Sequence, residues 1–312
     1  MPLHSVKSIT LGVPDVPAAA EFYRDFNLTE SAPGVFATAD GGEQLRLEQS
    51  PVRRLLELTI GADDPDDVDR VASQLTALDV AVERNANGQG IAAVDPGTGV
   101  RVRVEAAPRI EQDTVAPTPY NGPGRIDRSG RSPRLMEPGE EPTARPRKLG
   151  HVVIGSTDLE PSYRFFLEGI GFKLSDQVSD KAFFMRCSTD HHNLLLQQAP
   201  VQFLHHTSWQ VQDVDEIGLG AQHLLAKDPA RHVWGFGRHH IGSNFFWYFR
   251  DPAGNFVEYY ADMDCILDDQ LWEPGVFDGP AALYSWGPPP PPSFIRPDDL
   301  TELMAGLHTP KG

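Results

Sequence analysis

The sequence predicts an α+β fold of two tandem domains, each built from two βαβββ modules. Three observations predict it. Segment 8–28, SITLGVPDVPAAAEFYRDFNL, aligns with segment 151–172, HVVIGSTDLEPSYRFFLEGIGF, at an offset of 143 residues. Later in each half, DPGTGVRVRVE (95–105) resembles DPAGNFVEYY (251–260) if one residue is inserted. Between the halves, 108–147 is rich in proline, glycine and arginine and has neither helical nor strand periodicity, which is typical of a connector.

These observations divide the chain into four parts. An N-terminal domain covers 1–107, a linker 108–147, a C-terminal domain 148–262 and a tail 263–312, which contains the proline-rich stretch WGPPPPPSFIRP.

The elements of the C-terminal domain follow from local patterns. A strand is predicted at 149–155, and the helix at 158–169 begins at Asp158, which can cap it, and ends at a glycine. Three short strands ending near Gln197 complete the first module. The second module has a strand at 204–211, a helix at 213–226 and strands ending near Ala261.

Composition excludes several classes of function. The chain has 27 lysines and arginines against 44 aspartates and glutamates, a formal charge of −17. Nucleic acid and anionic membranes require a basic face, so neither is expected as a partner. No apolar run approaches the roughly 20 residues that span a bilayer, and the first residues lack a signal-peptide pattern, so we expect a cytoplasmic protein. With only Cys187 and Cys265, no disulfide framework or CxxC metal site is predicted.

Histidines are the strongest local signal. Nine of the eleven lie between His151 and His240, and three doublets stand at 191–192, 205–206 and 239–240. In the strand FLHHTSWQV (203–211), alternation places His206 on a polar face with Ser208 and Gln210. It places His205 on the opposite, core-like face, where we expect it to pack behind the sheet.

A carboxylate occupies an unusual position in NFVEYYAD. Glu258 shares a face with Phe256 and Tyr260, and a charge among large aromatics is costly to bury unless something compensates it. A metal ion would do so. His151, which lies opposite the Val152 face of its strand, and His206 add two imidazoles, and two histidines with one carboxylate are typical of non-haem Fe(II) sites.

The ordered motifs LGHVVI, DHHNLLL, FLHHTSWQV and GRHHIGSNFFWYFRDPAGNFVEYY, over roughly 148–262, resemble the type I extradiol ring-cleaving dioxygenases of the vicinal oxygen chelate superfamily. The N-terminal half resembles the superfamily more weakly. The resemblance implies two tandem vicinal oxygen chelate domains, each with a cupped, barrel-like mixed sheet.

The resemblance also implies roles for individual residues. It implies His151, His206 and Glu258 as metal ligands, and His192 as the acid–base histidine, with a near-neutral pKa suited to both roles. His239 and Tyr248 would contact the substrate, as would Phe246, and Trp234 or Phe236 could wall the pocket. Sequence alone leaves open whether His191 or His240 replaces its neighbour in these roles.

The implied activity is meta cleavage of a catechol with O2 and Fe(II). Manganese is an alternative, because the same ligands suit it. A homo-oligomer is expected. In the N-terminal domain, Ser8 falls at the position of His151, Glu57 or Leu58 at that of His206, and Arg103 at that of Glu258, so we expect a duplicated domain without a metal site.

Two other functions compete with this interpretation. One is another metal-dependent enzyme of the superfamily, a glyoxalase-like isomerase or a hydrolase. The other is a non-catalytic protein that binds an aromatic ligand, which would have no use for a complete metal triad.

Overall fold

The computed structural model describes residues 2–86, 88–136, 139, 143–279 and 282–308. The N-terminal half contains eight strands and two helices: β1 (Leu3–Val13), α1 (Val16–Asp25), β2 (Thr29–Ala32), β3 (Val35–Ala37), β4 (Glu43–Gln49), β5 (Arg54–Ala62), α2 (Pro65–Ala77), β6 (Glu83–Arg84), β7 (Gly90–Val94) and β8 (Arg101–Ala106).

The C-terminal half repeats this order and adds a tail. Its elements are β9 (Lys148–Ser156), α3 (Leu159–Arg164, continued by a π-helix over Phe165–Ile170), β10 (Lys173–Val178), β11 (Ala182–Arg186), β12 (Leu194–Gln198), β13 (Phe203–Gln210), α4 (Val214–Lys227), β14 (His232–Arg238), β15 (Phe245–Arg250), β16 (Phe256–Ala261), β17 (Gly275–Phe277), α5 (Pro292–Ile295) and α6 (Leu300–His308).

Each half therefore contains two βαβββ modules, as the repeat in the sequence predicts. The first sheet has the order β2-β3-β4-β1-β5-β8-β7-β6, and the second has the order β14-β15-β16-β13-β9-β12-β11-β10-β17. Within a module, the first and last strands are parallel neighbours, as β9 is to β12 and β13 is to β16. The two modules of a half meet through their antiparallel first strands, β1 with β5 and β9 with β13.

Aspartates precede helices α1, α3 and α4, but only those before α1 and α4 cap the helix with their side chains. Asp15 and Asp213 each accept a hydrogen bond from a backbone N–H of the helix that follows, at 2.9 and 3.1 Å. Asp158 occupies the corresponding position before α3, but its side chain makes no capping hydrogen bond. The helical segment ends at Ile170, one residue beyond the predicted 158–169, and is capped by Gly171, whose φ of 94° lies in the left-handed region that glycine adopts readily.

The two halves share one apolar core. The rings of Phe26 and Tyr259 stack with centroids 4.0 Å apart, and the Tyr259 hydroxyl donates to the Phe26 carbonyl at 2.8 Å. The backbone N–H of Leu149 donates to Gln44 Oε1 at 2.9 Å. The N-terminal half thus packs directly behind the strands that carry the predicted metal ligands.

The tail packs on the C-terminal sheet. Strand β17 pairs in parallel with β10, and Phe294 of α5 is buried against Trp234, Tyr248 and Phe256. Among the described helices, none combines the length and apolarity that a membrane span requires.

Candidate active site

His151, His206 and Glu258 lie on three adjacent strands, β9, β13 and β16. Strand register brings them together, because Ser208 of the central strand pairs with His151 on one side and with Glu258 on the other. His206 lies two residues before Ser208 and points to the same face. Three residues far apart in the chain thereby meet at one level of the sheet.

The three side chains converge on one point. His206 Nε2 lies 3.4 Å from His151 Nε2, and Glu258 Oε2 lies 3.2 Å from His151 Nε2 and 3.7 Å from His206 Nε2. All three residues are buried, and their ligand atoms lie within 4.8 Å of one another. Two imidazole nitrogens and one carboxylate oxygen in this arrangement could hold a metal ion through three protein ligands and leave coordination positions for other ligands.

The polar groups at this point fit a metal ion. Glu258 Oε2 is buried and accepts no hydrogen bond from the described residues, although its partner Oε1 accepts one from Asn244 Nδ2 at 3.3 Å. Burial acts to raise the pKa of Glu258, but the imidazoles of His151, His239 and His206 outweigh burial and lower that pKa. A buried, ionised carboxylate with a free oxygen facing two imidazole nitrogens is the environment that a divalent cation satisfies.

The expectation that His205 packs behind the sheet is wrong. Strand β13 has a register shift against β9 between Leu204 and His206, which breaks the alternation at His205. His205 lines the same cavity as His206, with its Nδ1 2.8 Å from His206 Nδ1, and its Nε2 lies 2.7 Å from the carbonyl oxygen of Phe294. If His206 Nε2 held a metal ion, the proton of that ring would lie on Nδ1, so His206 would donate to His205, which would in turn donate to the Phe294 carbonyl.

His192 lies beside the three ligands. It follows His191 in the loop before β12, lines the cavity, and its ring centroid is 4.3 Å from that of His151. Burial, and then the neighbouring imidazoles of His151 and His191, lower the pKa of His192 well below its usual value. This differs from the near-neutral pKa expected from the sequence: the residue is a neutral imidazole that can accept a proton.

His239 and Tyr248 form a hydrogen-bonded pair on the opposite wall. His239 Nδ1 lies 2.6 Å from the Leu283 carbonyl oxygen and therefore carries a proton, which leaves Nε2 to accept from the Tyr248 hydroxyl at 2.9 Å. Burial and the charge of Glu258 raise the pKa of Tyr248 well above its usual value, so the phenol stays protonated. His240 is exposed, with Nδ1 3.3 Å from Ser285 Oγ, and takes no part in the cavity.

A cavity of about 300 Å³ opens in front of these groups. No lysine or arginine is found among the described residues that line it, and Arg238 is paired with Asp262 elsewhere. Its apolar walls come from both modules and from the tail: Val153, Val178, Phe184, Leu195, Ile241, Leu283, Phe294 and Ile295.

The predicted aromatic wall lies one layer behind the cavity. Phe246, Trp234 and Phe236 are absent from the described lining, and the ring of Phe246 stacks behind His239 at 4.1 Å. Phe246 therefore supports His239 instead of facing the cavity. Sequence reasoning missed Phe294 and Leu283, because no local pattern indicates that the tail folds back over the sheet.

The N-terminal sheet carries different residues at the equivalent register. Thr59 pairs with Ser8 and Arg103 there, as Ser208 pairs with His151 and Glu258 in the C-terminal sheet. The same register assigns Glu57, not Leu58, to the position of His206. Arg103 makes ion pairs with Glu57 at 3.8 Å and with Glu105 at 3.1 Å, so a guanidinium lies where the other half presents a carboxylate.

A cupped sheet of two βαβββ modules that presents a buried His–His–Glu cluster defines a vicinal oxygen chelate protein with a metal centre. Comparison with known proteins supports this classification. The model of the Glyoxalase/Bleomycin resistance protein/Dioxygenase superfamily matches residues 148–259. The chain is 31% identical over 303 residues to metapyrocatechase 2 of Cupriavidus necator, and the alignment covers 94% of this chain and 92% of that protein.

Two further relatives carry a metal in their names. The iron-dependent extradiol dioxygenase of Rhodococcus jostii is 27% identical over 154 residues, 45% of this chain and 50% of that protein. The manganese-dependent 2,3-dihydroxybiphenyl 1,2-dioxygenase of Geobacillus genomosp. 3 is 25% identical over 221 residues, 67% of each chain.

Solved structures show the same fold. The Mn(II)-bound glyoxalase of Novosphingobium aromaticivorans has a TM-score of 0.72 at 24% identity, over 93% of both chains. The 2,2',3-trihydroxybiphenyl 1,2-dioxygenase of Sphingomonas wittichii has a TM-score of 0.71 at 19% identity, over 91% of this chain and 98% of that one. The chain belongs to the extradiol ring-cleaving dioxygenases of the vicinal oxygen chelate superfamily and is an enzyme of that class.

Proposed function

We propose that this enzyme catalyses the Fe(II)-dependent extradiol (meta) cleavage of an uncharged, apolar catechol in the breakdown of aromatic compounds. Both atoms of O2 enter the product, a semialdehyde-type compound. The observation that carries the proposal is the meeting of His151, His206 and Glu258 at a cavity that also receives His192 and Tyr248.

The choice of metal rests on the ligand set. Two neutral imidazoles and one carboxylate suit non-haem Fe(II), and the names of two relatives are consistent with iron or manganese. Bound there, Fe(II) supplies coordination positions for the diol and for O2 and a route for electrons between them. His151, His206 and Glu258 are the residues that would hold it.

Tyr248 and His239 orient the substrate. Because the Tyr248 hydroxyl donates to His239 Nε2, its oxygen is left as an acceptor for a hydroxyl of the diol. Both residues are fixed from behind, His239 by the Leu283 carbonyl and Tyr248 by stacking on Trp234. Such fixed groups lower the cost of orienting a bound diol.

His192 is the proposed acid–base residue, which exchanges a proton with the diol. Its neutral, buried imidazole can take a proton from the diol at Nε2 and return it later in the reaction. The cavity wall beside His192 is apolar at Phe184, whose ring centroid lies 5.1 Å from that of His192, and an apolar wall disfavours water at that nitrogen.

The cavity favours uncharged substrates. A carboxylate on the ring would be buried among apolar side chains with no lysine or arginine among the described lining residues to pair with it. Alkyl or aryl groups, in contrast, gain from contact with Val178, Leu195 and Phe294.

Oxygen uptake tests the proposal. The protein is loaded anaerobically with Fe(II), or with Mn(II) in a parallel arm, and mixed with aerated catechol, an alkylcatechol, a dihydroxybiphenyl and a carboxylated catechol. We expect one O2 consumed per diol, a yellow product, and the poorest turnover with the carboxylated compound. His240→Ala serves as a control with unchanged turnover. Isomerisation of another substrate without O2 uptake, or tight binding of the diols without turnover, would contradict the proposal.

The cytoplasmic location and the homo-oligomer stay predictions from the sequence.

A further inference from the structure

We propose that Asp176 and His191 are positioning residues that fix the tautomer of His192, so that the lone pair of His192 Nε2 faces the cavity. The inference rests on the proposed function in one respect, the role of His192 in exchanging a proton with the substrate. Neither Asp176 nor His191 lines the cavity.

A hydrogen-bonded chain links the three side chains. Asp176 Oδ2 lies 2.9 Å from His191 Nε2, and His191 Nδ1 lies 3.1 Å from His192 Nδ1. All three residues are buried, which shields these hydrogen bonds from solvent. The tautomer of each ring is therefore set by its neighbour.

The carboxylate of Asp176 decides which atoms donate and which accept in this series of hydrogen bonds. A carboxylate only accepts, so His191 carries a proton on Nε2. The proposed arrangement has His191 as the neutral ring, with its lone pair at Nδ1. His192 must then donate from its own Nδ1. A neutral His192 with a proton on Nδ1 has its lone pair on Nε2, the remaining nitrogen of a ring that lines the cavity beside His151.

The carboxylate is itself held by the tail. The backbone N–H of Gly275 donates to Asp176 Oδ1 at 2.7 Å, which turns Oδ2 towards His191. Trp272 places its ring edge-on to His191, with centroids 5.3 Å apart, and donates from Nε1 to the Ser175 carbonyl. Gly275 and Trp272 of the tail thereby help to shield the Asp176–His191–His192 hydrogen bonds from solvent and to fix their geometry.

The doublet of His205 and His206 has the same arrangement. The inner ring, His206, contacts its neighbour through Nδ1, and the outer ring, His205, ends on a backbone carbonyl instead of a carboxylate. In both doublets the second histidine faces the chemistry and the first fixes its tautomer. The His192 doublet differs in that its outer histidine ends on a side chain, Asp176, which a substitution can change.

An isosteric substitution tests this directly. In Asp176→Asn, the Gly275 N–H still selects the side-chain oxygen, so the amide NH2 faces His191 Nε2 and donates to it. His191 must then carry its proton on Nδ1, and His192 must move its proton to Nε2. Long-range ¹H–¹⁵N spectra of ¹⁵N-histidine-labelled, metal-free protein report both tautomers without any turnover.

We expect wild-type His192 to be protonated on Nδ1 and the Asp176→Asn variant on Nε2. The Fe(II)-loaded variant should keep its metal content and KM while kcat falls by about tenfold or more, the range found when a residue that orients a functional histidine is lost. Asp180→Asn, an exposed aspartate in the turn after β10, is the matched control and should match wild type in both readouts.

A second pair of variants covers the case in which Asp176→Asn does not fold. His191→Gln keeps an acceptor for His192 and a donor for Asp176, so it should retain the tautomer and kcat within about threefold. His191→Leu keeps neither the acceptor nor the donor, so it should lose both the Nδ1 tautomer of His192 and the wild-type kcat. An unchanged His192 tautomer in Asp176→Asn or His191→Leu, or a changed tautomer with unchanged kcat, would overturn the proposal. Because the spectra need no substrate, they remain decisive even if no catechol is turned over.

Discussion

His205 and His206 are joined through their Nδ1 atoms, 2.8 Å apart, and the outer ring is held by the Phe294 carbonyl 2.7 Å from its Nε2. The bulge in β13 makes this contact, since regular alternation would send the two rings to opposite faces. A proposed metal ligand is thus oriented by its sequence neighbour, and that neighbour is oriented by the tail.

The first prediction is that substitutions of His206 and His205 have different effects on metal binding. His206→Ala should abolish both Fe(II) retention and activity, because it removes one of three ligands. His205→Leu should retain the site but weaken Fe(II) binding by about 10- to 100-fold, because His206 loses the acceptor that fixes its ring. Anaerobic titration against a competing chelator measures both.

The control for this prediction is His232→Leu, which changes a histidine on β14 that lies outside the described cavity lining. Full iron content together with the wild-type rate in His206→Ala would refute the ligand assignment. Wild-type affinity in His205→Leu would show that the contact between the rings has no role in metal binding.

The second prediction concerns His192. In His192→Ala, the three proposed ligands are untouched, so the protein should bind Fe(II) normally while kcat falls by about 10²- to 10⁴-fold, the usual contribution of a positioned acid–base group. Metal analysis and O2 uptake on the same preparation measure the two effects. Parallel loss of iron would instead assign His192 to the metal site.

The sequence predicts features that depend on local patterns of residues, but it does not predict features that depend on contacts between residues far apart in the chain. Helical and strand periods predicted the modules, and one carboxylate flanked by Phe256 and Tyr260 indicated the metal site. Strand alternation failed at His205, because a bulge depends on pairing with a strand some 50 residues away in the chain. The tail that forms part of the cavity could not be predicted, because Phe294 and Leu283 belong to no periodic pattern and are placed only by tertiary packing.

The third prediction tests the tail as a determinant of substrate size. Phe294 is buried against Tyr248 and lines the cavity. Phe294→Leu enlarges the space near the diol, so the ratio of kcat/KM for a dihydroxybiphenyl to that for catechol should rise by about tenfold, a typical effect of apolar pocket contacts. Phe277→Leu, in the tail but absent from the described lining, is the control. If Phe294→Leu and Phe277→Leu gave the same ratio of kcat/KM for the two substrates, Phe294 would not be a determinant of substrate specificity.

The last prediction concerns the anchor of the tail. Arg53, immediately before β5, donates from Nε to Asp299 Oδ2 at 2.5 Å and from Nη1 to the Leu204 carbonyl at 2.7 Å. Its side chain is 3% exposed, whereas that of Asp299 is 25% exposed. One buried guanidinium therefore ties the N-terminal half to the start of α6 and to the bulged strand that carries His206.

Arg53→Met removes these bonds and leaves the Leu204 carbonyl without this donor. We expect a loss of about 3 kcal/mol in the free energy of unfolding, because the variant loses charge-assisted hydrogen bonds to Asp299 and to the buried Leu204 carbonyl. Arg84→Met breaks an exposed pair with Asp69, in which both side chains are more than half exposed, and should cost no more than about 1 kcal/mol. Urea unfolding of both variants measures the difference, and equal midpoints would show that Arg53 does not anchor the tail.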